Sequence, residues 1–453
     1  MHSYRTAIPR LIAVIVFVTA ANPGRGAAAP TSPAPAGLPN VTLPEHLTLA
    51  DTMQLFRSNG LDLLIADAAV ASAQGDLRIA RAVANPSISG GLAHSFAYDP
   101  TQCPDATCSA TAWSASVSDQ AALSDEIFGK RKLRIKVAEA ALLAARQGRR
   151  DAERTIAASV KQQYLAVELG QAGVSFARES AASTAETLRL VQVRYQAGAV
   201  SQADVARAQT ASLEAEQMLD RAVQDLQQAR AGLAFLLGVR GPVPEFEAAD
   251  ELLRPTVPAG LANPDSAALL ATARQRRPDL AAALAQRTRA ERGLALAERQ
   301  RIPAIQLEGS YSQEGSGQSA IQPPTFGVSL SLAVPLFYNS QGEIAKAQAD
   351  LRTQDLQWAK LEAQVRSDVA TAVATFTGAR RRAERMDTRL LDSARLARDL
   401  VRFQYQKGAA SLLEMLDAER TLIATEVERL QVLNDYWSAL FAVEAATGME
   451  LVS

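Results

Sequence analysis

The sequence predicts a mixed α and β fold that is mostly α-helical and is built from two tandem repeats. Three observations predict it: a recurring segment, long proline-free stretches, and short stretches in which apolar and polar residues alternate. The recurring segment reads YQAGAVSQADVARAQ from Tyr195 and YQKGAASLLEMLDAE from Tyr405, 210 positions later. Self-similarity at a fixed spacing indicates a duplicated structural unit.

The duplication also predicts the domain boundaries. Gly238 and Gly448 stand at the same spacing and close the two units. Each unit is predicted to contain a helix, two strands and a long helical hairpin. The predicted segments are repeat 1 over residues 46–238, an inter-repeat linker over 239–264 and repeat 2 over 265–449.

The first residues are typical of a secretory signal peptide. Two arginines precede an apolar run over residues 11–21, which small residues follow. A short membrane anchor is the alternative, but the run is far below the ~20 apolar residues that a spanning helix needs. We predict a signal peptide over residues 1–28, cleaved after Ala20 or near Ala28, and an Ala/Pro-rich tether over 29–45.

Charge and composition exclude several classes of function. The net charge is -1, with 47 basic and 48 acidic residues that are scattered along the chain, so nucleic acid is not an expected partner. The three histidines are too dispersed for a zinc site, and there is no phosphate loop or nucleophile elbow. We therefore expect no enzyme activity, no cofactor and no bound metal.

The two cysteines, Cys103 and Cys108, lie in a polar segment that repeat 1 has in addition to repeat 2. Such a segment is typical of a surface loop. In an oxidising compartment the two thiols can close a small disulfide ring, and two free thiols are the alternative.

Long proline-free stretches predict the helices, because an interior proline costs a helix ~3 kcal/mol. Residues 129–198 and 342–408 each allow one ascending helix, which at ~1.5 Å per residue is about 100 Å long. Residues 201–237 and 411–446 then return as shorter helices. Their narrow, Ala-rich apolar stripes are typical of coiled-coil packing.

The alternating stretches predict four strands. Residues 326–336 alternate clearly, residues 113–123 are their weaker counterpart, and residues 305–312 and 88–96 precede the two. This length and one apolar side are typical of membrane-spanning strands, which need ~9–11 residues. A soluble sheet packed on helices is the alternative. Asp119 on the apolar side is an exception, unless it lies at an interface or in a lumen.

Four strands cannot close a barrel by themselves. Because lipid cannot form hydrogen bonds with backbone N–H and C=O groups, a sheet exposed to lipid must have no open edge. The membrane interpretation therefore predicts that several copies pool their strands. The long helix pairs would then form a tube beneath the barrel.

The order and spacing of these features resemble the TolC-type outer-membrane efflux channels, the outer membrane factors of tripartite export systems. The resemblance rests on the pattern Tyr-x-x-Gly-x-x-Ser-x-x-[Asp/Glu]-[Val/Met]-x-x-Ala at both hairpin tips, and on Gly238 and Gly448. It covers the chain from about residue 45 onward. It implies a homotrimer in the outer membrane of a Gram-negative bacterium, with a transmembrane β-barrel of four strands per protomer and a long periplasmic α-helical barrel.

The resemblance also implies partners and a passive role. A periplasmic adaptor (membrane fusion protein) and an inner-membrane pump of the resistance-nodulation-division type would deliver small molecules or ions. The channel would then be an exit conduit embedded in outer-membrane lipid. The alternative is a periplasmic coiled-coil adaptor or scaffold without a pore, although such a protein usually carries one hairpin within a Gly-rich β domain.

The same resemblance implies functions for residues at the hairpin tips, in the entrance of the channel and in its gate. Glu414 and Asp417 would form the carboxylate ring at the entrance, while Glu414 also completes a capping box with Ser411. Tyr405 and Asp204 would form the gate latch between neighbouring hairpins, and simple packing is the alternative for Tyr405.

The exposed tip turns would dock the adaptor, with ordinary hairpin turns as the alternative. The residues concerned are Gly198, Ala199, Ser201, Gly408, Ala409 and Ser411. Two positions depart from the family pattern, since Ala203 replaces a hydroxyl residue and Ala410 replaces an arginine. The latch is therefore expected to be weaker or differently built.

Overall fold

The computed structural model describes residues 41–94, 96, 110–249, 252–314 and 324–452. They belong to one structural unit, Val41–Ser453. The predicted signal peptide, most of the tether, and Cys103 and Cys108 lie outside the described residues.

The first half of the chain contains a helix pair, two strands and a helical hairpin. Its elements are β1 (His46–Leu47), α1 (Leu49–Asn59), α2 (Leu61–Arg81), β2 (Ser87–His94), β3 (Thr111–Ser118), α3 (Ala122–Ile127), α4 (Lys130–Gln196) and α5 (Gln202–Leu236). The 67 residues of α4 correspond to a helix about 100 Å long.

The second half repeats this order. Its elements are β4 (Glu247–Ala248), a 3-10 turn (Ala259–Leu261), α6 (Ser266–Arg276), α7 (Pro278–Gln300), β5 (Ile305–Glu314), β6 (Thr325–Leu332), α8 (Gln341–Arg385), a π-helical turn (Met386–Leu390), α9 (Leu391–Gln406) and α10 (Leu412–Thr447). The ascending helix predicted over 342–408 is thus divided by one π-helical turn, whereas α4 is continuous.

The four longer strands form one antiparallel sheet in the order β2-β3-β5-β6. Each strand continues into a long helix or follows one, and the helices pack side by side in the matching order α2-α4-α7-α8. The strands and helices therefore form a single layer. Strands β2 and β6 have no pairing partner on their outer edges among the described residues.

Two predicted strands end earlier than the alternation suggests. Strand β3 stops at Ser118, because Gln120 and Ala121 have positive φ angles of 52° and 63° and turn the chain. Asp119 accepts hydrogen bonds from the backbone N–H groups of Leu307 at 2.8 Å and Ala121 at 3.1 Å. Its carboxylate therefore stabilises a turn beyond the strand, and a strand as far as residue 123 was wrong. Strand β6 ends at Leu332, before Pro335.

The main hydrophobic core lies at the middle of the long helices, where the two hairpins meet α1 and the β1–β4 pair. Tyr164, Tyr436 and Trp437 are fully buried there. The Trp437 indole N–H donates to Leu252 O at 2.6 Å, and the Tyr436 hydroxyl donates to Thr256 O at 2.7 Å. The segment between the two halves is thus packed onto the helices rather than free.

The glycines that close the hairpins adopt positive φ angles and approach a neighbouring helix end. Gly238 (φ 83°) packs against the backbone carbonyl of Asn59, and Gly448 (φ 69°) packs against Arg276. A side chain at Gly238 would meet both the unfavourable backbone conformation and the Asn59 carbonyl. These contacts explain why glycine recurs at both positions.

Candidate functional site

The two hairpin tips are built alike. At the first tip, Gly198 (φ 74°) donates its N–H to Tyr195 O at 2.9 Å, and Ala199 donates to Arg194 O at 2.9 Å. At the second tip Gly408 (φ 78°) makes the equivalent bond to Tyr405 O at 3.1 Å. No atom lies within 4 Å of a Cβ built on either glycine. The tip turns therefore need glycine for its backbone conformation and leave open space around it.

Both returning helices begin with a complete capping box. Asp204 Oδ2 accepts the Ser201 hydroxyl at 2.8 Å and the Ser201 N–H at 3.1 Å, and these bonds hold the pKa of Asp204 below its usual value. Glu414 Oε2 accepts the Ser411 N–H at 2.7 Å and its hydroxyl at 2.9 Å. The backbone bond, followed by the hydroxyl bond, lowers the pKa of Glu414. Both carboxylates are therefore charged and held in place.

Asp417 lies one turn after Glu414 on the exposed side of α10, while Met415 and Leu416 between them are buried. Its carboxylate has no hydrogen bond or ion pair among the described residues. Glu414 and Asp417 thus share an exposed face near the beginning of the helix, as their spacing predicts. A ring of these residues around an opening stays a prediction, because only one protomer is described.

Tyr405 and Asp204 are not brought together within one protomer. Tyr405 is 3% exposed and lies in a tip cluster formed by Val191, Ala208, Tyr405, Leu412, Met415 and Leu416. Its hydroxyl oxygen is buried without a hydrogen-bond partner among the described residues. Asp204 is occupied by Ser201 and by Arg207 at 3.3 Å. Tyr195, the repeat partner of Tyr405, is 45% exposed, so the two tyrosines differ in environment.

Arg194 is a tip residue that the sequence reasoning missed. Its guanidinium donates to Tyr405 O at 3.1 Å and lies 4.5 Å from the centre of the Tyr405 ring. A cation is favourable at the carboxyl end of a helix, here α9, and on the face of an aromatic ring. Arg194 therefore links the first hairpin to the second. The available signal was an arginine in the last turn of α4, immediately before the repeated tyrosine.

Two buried carboxylates of α10 pair with arginines of α9 below the tip of the second hairpin. Glu426 is buried and accepts hydrogen bonds from Arg395 on α9 and, at 2.8 Å, from Arg429 on its own helix. Glu419 lies two helical turns nearer the tip, and its Oε2 is 3.9 Å from Nη1 of Arg398 on α9. Burying a carboxylate is costly unless it is paired, so these contacts tie α9 to α10.

The four-stranded sheet has two chemically different faces. Directly paired residues of antiparallel strands point to the same side, so the register assigns every side chain to a face. One face carries large apolar side chains that are all exposed: Ile88, Leu92, Trp113, Val117, Leu307, Phe326, Val328, Leu330 and Leu332. Phe326, for example, is 79% exposed. So large an apolar surface marks contact with lipid or with another protein.

The opposite face of the sheet is lined by small hydroxyl side chains. Its serines and threonine are Ser87, Ser89, Ser114, Ser116, Ser118, Ser310, Ser312, Thr325, Ser329 and Ser331. Some of them bond across strands, such as Ser89 to Ser116 at 2.8 Å. One layer of structure therefore separates an apolar surface from a hydrophilic one.

None of the described helices combines the length and the apolar character that crossing a membrane requires. Within the described ranges, no group of three or more His, Cys, Asp or Glu side chains is arranged to hold a metal ion.

Comparison with known proteins gives consistent matches over most of the chain. The family model "Outer membrane efflux protein" matches residues 52–239 and 269–449. The pyoverdine export outer membrane protein OpmQ of Pseudomonas aeruginosa is 28% identical over 393 residues, which are 83% of this chain and 79% of that protein. The cobalt-zinc-cadmium resistance protein CzcC of Cupriavidus metallidurans is 25% identical over 408 residues, 89% of this chain and 90% of that protein.

Solved structures share the fold. The outer-membrane channel OprN superimposes with a TM-score of 0.74 at 18% identity, covering 89% of this chain and 90% of that chain.

Proposed function

This chain belongs to the outer membrane efflux protein family. From that premise we propose how copies of the chain assemble into a channel and which residues act at its entrance. It is an outer-membrane efflux channel that extends into the periplasm, as the sequence resemblance predicted. The alternative of a periplasmic adaptor without a pore receives no support from the relatives. The family is one of channels rather than enzymes.

We propose that the functional form is a homotrimer in outer-membrane lipid. The observation that supports this proposal is a sheet with one apolar face, one hydroxyl face and two open edges. An apolar face of exposed Trp, Phe, Val, Leu and Ile side chains suits lipid, and the hydroxyl face suits water. Among the described residues, the outer edges of strands β2 and β6 have no pairing strand, and lipid cannot satisfy the backbone groups there. Pairing β2 of one copy with β6 of the next, three times, would close a barrel and remove every edge.

At the opposite end, the tips would form the periplasmic entrance. Glu414 and Asp417 are proposed as its carboxylate ring, since both are exposed and neighbouring on α10. Tyr405 and Asp204 are proposed as latch residues between copies. The Tyr405 hydroxyl has no hydrogen-bond partner among the described residues but is buried, so the tip cluster would have to open before the hydroxyl could donate to Asp204 of a neighbouring copy. The open glycine turns at residues 197–201 and 407–411 are proposed to dock the adaptor.

The cargo is proposed to be small molecules or ions delivered by an inner-membrane pump of the resistance-nodulation-division type through a periplasmic adaptor. One named relative exports pyoverdine and another confers resistance to cobalt, zinc and cadmium. Both kinds of cargo suit a passive conduit whose energy is supplied elsewhere.

Reconstitution of the full-length protein tests this proposal. Detergent-purified protein should cross-link to a species of three chains and conduct ions after insertion into planar lipid bilayers. Protein that remains monomeric and soluble without detergent, and that produces no conductance, would contradict it.

A further inference from the structure

We propose that Glu308 forms a second ring of negative charge, at the level of the sheet, and that this ring makes the membrane part of the conduit favour cations. The inference rests on the trimeric channel proposed above. It adds a selectivity residue about 100 Å along the helices from Glu414 and Asp417.

The strand register places Glu308 on the hydroxyl face. Glu308 of β5 pairs directly with Ser118 of β3 and with Ser329 of β6. The neighbouring residues on β5, Leu307 and Gly309, pair within the apolar face. Glu308 also lies near the junction with the helices, because Ser118 is the last residue of β3.

In the part of the sheet that the structure describes, the hydroxyl face has no positive charge to balance Glu308. Apart from serine and threonine, its described positions are Gly91, Ala93, Ala112, Gln306, Glu308 and Gly327. The ionisable residue among these described positions is therefore an acid, Glu308. No lysine, arginine or histidine occupies any position of it in the described strands.

The Glu308 carboxylate makes no ion pair and no hydrogen bond with the described residues. The hydroxyl of Ser118, its direct neighbour, accepts the Gln306 side-chain amide at 2.7 Å and the Gln120 N–H at 3.3 Å. A carboxylate at membrane depth is costly unless it faces water. An unpaired carboxylate on a hydroxyl-lined face is thus placed to act on ions in a lumen rather than to stabilise the sheet.

Threefold repetition would put three such charges around the lumen. Rings of carboxylates attract cations and repel anions, most strongly where low-dielectric walls focus the field. Cationic cargo would therefore be favoured where the conduit enters the sheet as well as at the periplasmic entrance, and multivalent anions would be disfavoured.

Reversal potentials of the full-length channel test the proposal. In planar bilayers under a potassium chloride gradient, Glu308→Gln should reduce the ratio of potassium to chloride permeability by roughly twofold or more. Glu308→Lys should reduce it further, and Glu308→Asp should retain it. Ser329→Lys, which places a cation directly opposite Glu308, should lower the ratio without altering Glu308 itself.

Gln313→Glu is the matched control, because it adds a carboxylate to the same strand on the apolar face, one residue from the end of β5, where a charge near the membrane surface costs little. It should leave the permeability ratio unchanged. An unaltered ratio in Glu308→Gln, Glu308→Lys and Ser329→Lys channels that still conduct would overturn the role of Glu308 alone. A wild-type protein that forms no pore would instead overturn the proposed channel.

Discussion

Single side chains determine how firmly the two hairpins of one protomer are held together at their tips. Arg194 contributes a hydrogen bond to Tyr405 O and a cation–π contact with its ring. Tyr405 in turn fills the tip cluster. Arg194 therefore joins the end of α4 to the end of α9 within one protomer.

Removing the Arg194 side chain should loosen the tip. Arg194→Ala loses a helix-end charge interaction and a cation–π contact, together worth about 1–2 kcal/mol. We expect faster hydrogen exchange around residues 405–410 and a higher open probability in bilayer recordings. Arg189→Ala is the control, since the ion pair that Arg189 makes within the described part of the chain is with Glu186 on its own helix. Equal behaviour of the two variants would exclude the link.

Glu414 has two candidate roles that one substitution separates. Glu414→Gln keeps an oxygen that can accept the Ser411 N–H, as capping boxes allow, but removes the charge. We expect nearly unchanged thermal stability and a lower cation preference, with Asp417→Asn reducing that preference in the same way. Loss of stability with unchanged selectivity would assign Glu414 to the cap alone.

The pH dependence follows from the lowered pKa of Glu414. A carboxylate with a lowered pKa stabilises the fold above its ordinary value of 4.5 and loses that contribution as pH falls through the lowered value. The wild type should therefore lose stability relative to Glu414→Gln below about pH 4.5. Thermal unfolding from pH 7 to pH 3 measures the difference, and parallel curves would contradict it.

At the scale of the elements, the glycines that end the helices differ in how strongly their surroundings require glycine. Gly198 and Gly238 both have positive φ angles, but Gly238 also faces the Asn59 carbonyl. An alanine costs about 1–2 kcal/mol in this backbone conformation. We expect Gly198→Ala to cost about that amount, and Gly238→Ala to cost clearly more because the contact must open. Denaturant unfolding compares them, and equal losses would show that Asn59 gives way freely.

The sequence predicted the element order because its signals are local. Gly198 and Gly408, the capping boxes and the alternation in residues 305–312 are each decided by neighbouring residues. The β1–β4 pair, the π-helical turn and the Arg194 link were not predicted. The β1–β4 pair and the Arg194 link depend on contacts between residues far apart in the chain, such as His46 with Glu247, which no periodic pattern in the sequence indicates. The π-helical turn lies inside the proline-free stretch 342–408, where no residue signals a change of helix type. The end of β3 was misplaced because alternation continued through a turn that Asp119 stabilises.

For the whole molecule, the two faces of the sheet decide which side meets lipid. Val328→Lys would put a charge on the apolar face, at a cost of about 2–4 kcal/mol near the middle of the bilayer. We expect the variant to leave the membrane fraction on alkaline extraction. Ser329→Lys, its neighbour on the hydroxyl face, should remain membrane-bound. The same result for both variants would exclude the assignment of the faces.

The free edges of β2 and β6 favour aggregation before the chain is inserted into the outer membrane. A single copy in the periplasm exposes two edge strands that can pair with any other extended chain, and it also exposes the apolar face of its sheet. Premature stacking would produce open-ended aggregates rather than rings. Insertion of this protein into the outer membrane should therefore require a periplasmic chaperone. Overproduction beyond the capacity of that chaperone should lead to proteolysis or inclusion bodies.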